Sequence, residues 1–111
     1  MKKIAVPAEK DTLSPHFGHC EYFAVYEIEN NQITGEVKLQ PPAHQPGLYP
    51  KWLSENLVTD VIAGGMGQRA IELFNQNGIN VYVGANIKSP KELVQDFLNG
   101  TLTTNANMCD H

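Results

Sequence analysis

The hydrophobic positions of this chain change period several times, and the changes divide it into short elements. Residues 3–8 (KIAVPA) are a continuous apolar run of strand length, with Pro7 near its end, where a missing amide donor is tolerable. A polar stretch bearing proline and glycine follows over 9–21. Tyr22–Glu29 and Gln32–Leu39 read as a β-hairpin around Asn30-Asn31, because asparagine accepts the positive φ of a two-residue turn. Alternation in the second of these strands puts Ile33, Val37 and Leu39 on one face and Thr34, Glu36 and Lys38 on the other. The segment QPPAHQPG (40–47) holds three prolines and a glycine, which rules out regular structure.

Beyond it the period lengthens. Leu48, Trp52, Leu53 and Leu57 recur at helical spacing, with Pro50 acceptable in a first turn. Residues 58–63 form a fourth strand that runs straight into Gly64-Gly65-Met66-Gly67. Residues 68–77 then place Ala70, Ile71 and Phe74 on one helical face, and Gly78 is positioned to end that helix. A fifth strand covers 79–83. Ser89-Pro90-Lys91-Glu92 is a capping box with proline at the first helical position, and Leu93, Val94, Phe97 and Leu98 form the buried stripe of the helix that follows. Gly100 ends it. Residues 1–100 therefore read as one α/β domain, and 101–111 as a polar, flexible tail.

Element order β-β-β-α-β-α-β-α suggests one mixed five-stranded sheet with helices on both faces. Neighbouring strands and right-handed crossovers favour the order 3-2-1-4-5, with only the second strand antiparallel. The loops after strands one, three and four then emerge at one edge. Strands one and four lead away from each other there, so the crevice between them is a topological switch point, where open α/β sheets bind ligands. This topology brings His16, His19, Cys20, His44 and Met66 to one rim. Eleven extended residues beyond Gly100 reach at most roughly 40 Å, enough to return Cys109 and His111 to the same place.

Composition narrows the setting. A net charge of −4 over 111 residues argues against a nucleic-acid partner. No apolar run approaches the roughly 20 residues that span a bilayer, and the N-terminal apolar stretch is too short for a signal peptide. A cytoplasmic location is expected. Two cysteines far apart in a reducing compartment read as free thiols or ligands, although a bridge between them stays open.

The candidate chemistry is soft. In SPHFGHCEYF (14–23), His16, His19 and Cys20 have the donor types that favour zinc, copper or iron–sulfur species over magnesium or calcium. The plainer reading is a polar loop followed by a small core cysteine. Cys109-Asp110-His111 offers a thiolate, carboxylates and an imidazole, or is simply a tail. His44, between prolines, is either a ligand or a solvated loop residue. Gly64, Gly65, Met66 and Gly67 open a helix and can present amides to an anion, with Met66 as a soft neighbour and Arg69 adding positive charge. The same turn also serves simply to pack strand against helix. It lacks the lysine of a phosphate-binding loop and the full dinucleotide fingerprint. Catalysis finds no support: Ser14 and His16 have no nucleophile elbow. Strand one carries no carboxylate, and Asp60 lies at the start of strand four, away from the rim. Trp52 and Tyr22-Phe23 read as core.

Four segments, SPHFGHCEYF, HQPG–YPKWL, DVIAGGMGQRAIELFNQNGINVYVG and the ending CDH, together resemble the dinitrogenase iron–molybdenum cofactor biosynthesis family across essentially the whole chain. The resemblance implies a ribonuclease H-like three-layer fold and a carrier or scaffold without enzymatic activity. The implied cargo is an iron–sulfur, iron–molybdenum or other molybdenum-containing sulfide cluster, passed between donor and acceptor proteins. It also implies that His16, His44 and the Gly64–Gly67 turn belong to the site. Cys20 departs from the family pattern, so its place, like that of Cys109, rests on residue type. The alternative is a regulatory or interaction module of the same fold with no native metal.

Overall fold

The structure, a computed structural model, describes residues 2–14, 20–41, 48–102 and 104. Along them lie β1 (Lys2–Glu9), β2 (Thr12–Leu13), β3 (Tyr22–Glu29), β4 (Gln32–Leu39), α1 (Leu48–Glu55), β5 (Asp60–Ile62), α2 (Gln68–Gln76), β6 (Asn80–Tyr82) and α3 (Pro90–Asn99). The mixed sheet runs β4-β3-β1-β5-β6, with β2 paired to β1. β3 is antiparallel to β1 and β4, whereas β1, β5 and β6 run parallel.

β1 explains the layering. Ile4, Ala5, Val6 and Ala8 are wholly buried, and alternate side chains enter different cores. Ala5 joins Phe23, Val25, Leu53, Val61 and Phe74 under α1 and α2. Ile4 and Val6 join Tyr26, Ile62, Leu93 and Val94 under α3. An apolar strand without alternation is thus what a sheet covered on both faces requires.

Local signals account for most boundaries. Asn30 and Asn31 adopt φ of 51° and 63°, the left-handed pair a tight hairpin turn needs. Ser89 Oγ accepts from the Glu92 amide at 3.3 Å, the N-cap bond, and donates to Glu92 Oε1 at 3.0 Å, so the carboxylate engages the hydroxyl in place of the backbone amide that a full capping box uses. Gly78 and Gly100, at φ 77° and 73°, terminate α2 and α3.

Four expectations change. The stretch over 9–21 contains a strand: Lys10 and Asp11 turn the chain at positive φ, and β2 folds back on Ala8 and Glu9. Ile33 does not share a face with Val37 and Leu39. A bulge at Thr34 shifts the register between Glu27/Gly35 and Ile28/Ile33, so Ile33 packs under α3 while Leu39 packs on the opposite side. Leu57 is outside the buried stripe of α1, which ends at Glu55; it sits at φ 67° and is 70% exposed. As strands β5 and β6 are three residues each, shorter than the stretches 58–63 and 79–83 that contain them. Phe23 packs as core, in edge contact with Tyr49 at 5.5 Å, whereas Trp52 and Tyr22 are half-buried and pack against the two cores from outside.

Replacing Ser89 by alanine should cost about 1 kcal/mol of stability, the usual worth of an N-cap. Urea denaturation of Ser89→Ala measures it, and an unchanged midpoint would show that Pro90 and the packing of Leu93 hold the helix start without the cap.

Candidate functional site

Register places the C-terminal edge of the sheet. Pro7 in β1, Phe23 in β3 and Leu39 in β4 lie side by side. The described residues flanking 15–19 are tied to that edge on consecutive carbonyls. The Ser14 amide donates to Pro7 O at 2.9 Å, and the Glu21 amide donates to Ala8 O at 2.8 Å. Gln40 leaves β4 at the same level. β5 ends there too and enters Gly64. Past their strands β5 and β6 stay paired: the Gly84 amide donates to Gly64 O at 2.7 Å, and the Ala85 amide to Ala63 O at 3.2 Å. Ala85 forms an antiparallel bridge with Thr104, so the chain after α3 crosses beside the glycine turn.

The flanks of four separate segments thus meet at one edge. His16, His19, His44, Cys109 and His111 lie outside the described residues. No group of three His, Cys, Asp or Glu side chains suited to a metal occurs among the described residues.

Gly67 is the N-cap of α2, at φ −66° and ψ 152°, with no side-chain bond to the first turn, and that turn carries no acidic residue. A Cβ on Gly67 would meet none of the described residues within 4 Å. Its backbone is in the region any residue adopts, so glycine is not demanded by conformation here. What its lack of a side chain does is leave the helix start without a cap from its own N-cap residue, with the positive end of the dipole facing the edge. Arg69, exposed two residues on, makes no ion pair among the described residues. Met66 is placed differently from a soft neighbour at the rim: its side chain is 1% exposed and belongs to the core under α1 and α2.

Cys20 is half-buried and packs against that same core. Burial pushes its thiol up to about 11, with the negative charge of Glu9 adding to the effect. Tyr49, buried in α1 and itself shifted upward by burial and by Cys20, is the near neighbour that sequence reading left out of the candidate set. The signal was present as an aromatic in the first turn of a helix that follows the proline segment. Asp60 is buried at the start of β5, accepting from Thr59 Oγ1 at 2.8 Å and Asn80 Nδ2 at 3.2 Å. It is a satisfied structural carboxylate.

In metal-free protein carrying Cys109→Ser, alkylation of Cys20 at about pH 8 should run well below that of free cysteine, whose pKa is about 8.5. The rate should climb as pH approaches about 11, since only the thiolate reacts. A profile with its midpoint near that of free cysteine would mean Cys20 is not held in the core.

The chain resembles known proteins along its length. It is 38% identical over 107 residues to the uncharacterized protein MJ0580 of Methanocaldococcus jannaschii, covering 92% of this chain and 90% of that one. The crystal structure of PH0822 superposes with a TM-score of 0.87 at 30% identity, over 94% of this chain and 95% of that one. The apo orange protein of Desulfovibrio gigas has the same fold, with a TM-score of 0.78 at 22% identity over 96% and 95% of the two chains. Residues 1–100 match the family described as dinitrogenase iron-molybdenum cofactor. With that match spanning all three layers of the sheet-and-helix architecture, the chain belongs to the dinitrogenase iron-molybdenum cofactor family.

Proposed function

We propose that this chain binds and escorts a metal–sulfide cluster, of the iron–sulfur or iron–molybdenum kind, between a donor and an acceptor protein in the cytoplasm, without catalysing a reaction. The observation that carries the reading is the family match over residues 1–100. The geometry supports it in two ways. Segments bearing imidazole and thiol side chains leave and rejoin the fold at the switch-point edge, where ligands of α/β sheets bind. An uncapped helix start faces that edge, a favourable environment for an anionic cargo.

In this reading the amides around Gly64, Gly65, Met66 and Gly67 face the anion, and Arg69 lies close to its charge. His16, His19, Cys20 and His44 are donors from the two loops. Cys109 and His111 come from the tail; Cys109 lies five residues past Thr104, a span of at most roughly 18 Å. Met66 contributes backbone only. Cys20 enters as a protonated thiol whose proton a bound metal would displace. The sheet order and layering support a ribonuclease H-like assignment. Glu9 is the one carboxylate that β1 brings to that edge, and Asp60 is engaged at the far end, which favours binding over two-metal hydrolysis.

Anaerobic reconstitution with iron, sulfide and molybdate tests the proposal. Charge-transfer absorption should appear and co-elute with the protein, and the double variant His16→Ala/Cys20→Ser should lose most of it. A colourless, metal-free protein would overturn the carrier reading in favour of a metal-free interaction module. Gly67→Asp gives a sharper second outcome. An aspartate cap and its charge should raise stability by about 0.5–1 kcal/mol while reducing cluster uptake. Uptake that stays unchanged in a stabilised Gly67→Asp protein would remove the start of α2 from the site.

A further inference from the structure

We propose that the free edge of β4 pairs with the β4 edge of a second copy of this chain, antiparallel, about a two-fold axis through Val37. β4 is an end strand of the sheet, with no partner on its outer side among the described residues. Its regular part is short. Gly35–Leu39 pairs residue for residue with β3, bounded by the bulge at Thr34 and by Gln40-Pro41 after the strand. Val37 is the middle of that run and is 46% exposed. An edge of this kind presents a row of unpaired amides and carbonyls to another strand.

Charge selects the occupant. Glu36 and Lys38 flank Val37 on the opposite face of the sheet, both exposed. With the axis through Val37, the two valines meet, and each chain's Glu36 lies opposite the second copy's Lys38. Moving the axis to Glu36 or to Lys38 sets like charges against each other, which destabilises a strand pair. A lysine on an edge deters pairing with strands in general; the glutamate two residues away makes an exception for this sequence.

Present contacts leave both side chains usable. Lys38 is 3.8 Å from Asp11 in an exposed pair and stacks 5.0 Å from the Tyr22 ring centre, interactions of small worth in water. Glu36 accepts from the Tyr26 hydroxyl at 2.8 Å through one oxygen, which leaves the other for a second donor. Because the two strands run antiparallel, the two C-terminal edges would point in opposite directions, and each copy would keep its own site.

Five residues of strand pairing make a small interface, in the weak class below about 1,200 Å². Sedimentation at low salt should therefore show dimer growing in between about 10 μM and 1 mM protein. Glu36→Lys and Lys38→Glu should each remain monomeric. Mixed together they should form a one-to-one heterodimer, since every charge then meets its opposite. The mixture also checks that both variants are folded. Wild-type protein that stays monomeric at the highest concentration, a mixture that fails to associate, or a dimer that survives in either single variant would overturn the proposal.

Discussion

Strand β1 can be buried on both faces only because it is also paired along both sides, and that requirement sets the rest of the molecule. Burying its backbone without partners would strand amides and carbonyls far from water. β3 covers one side over seven residue pairs. The other side is shared: β5 pairs at Ile4 and Ala5, and β2 takes over at Ala8 and Glu9. Between them stands Pro7, which has no amide to satisfy, and its carbonyl is taken by Ser14. The hand-over from β5 to β2 is also where the crevice opens, so one backbone constraint produces both the two cores and the candidate site.

Much of this was legible in the residues. Asn30-Asn31, the Ser89 cap and the glycines after α2 and α3 act locally, through φ preferences and a side-chain bond within one turn. What escaped was decided by contacts distant in sequence. Lys10 is a poor residue for positive φ, whereas Asp11 tolerates it. They are held there by the Lys10 amide donating to Glu21 Oε1 at 2.7 Å and by the Tyr22 hydroxyl donating to Asp11 at 3.1 Å. Within the run 9–13 only Asp11 hints at this. The bulge at Thr34 defeats strict alternation, with Gly35 beside it as the one hint. Leu57 fits a helical period by coincidence, since the chain has already turned.

The candidate site divides along the same line. Which segments would share an edge followed from strand order, and the flanking residues lie there. How individual side chains are used did not follow from type. Met66, a soft donor by chemistry, is consumed by the core, and Cys20, a ligand type, is held half-buried with its proton stabilised. Both were ambiguous because apolar packing and metal binding select the same sulfur-bearing residues.

The backbone bond between Gly84 and Gly64 links parts of the chain that sequence keeps well apart. Gly64 opens the glycine turn, Gly84 is bonded to it, and the next residue, Ala85, is bridged to Thr104. The glycine turn and Thr104 are therefore joined through just two residues, Gly84 and Ala85, so the backbone that would face a cargo and the start of the tail share one short support.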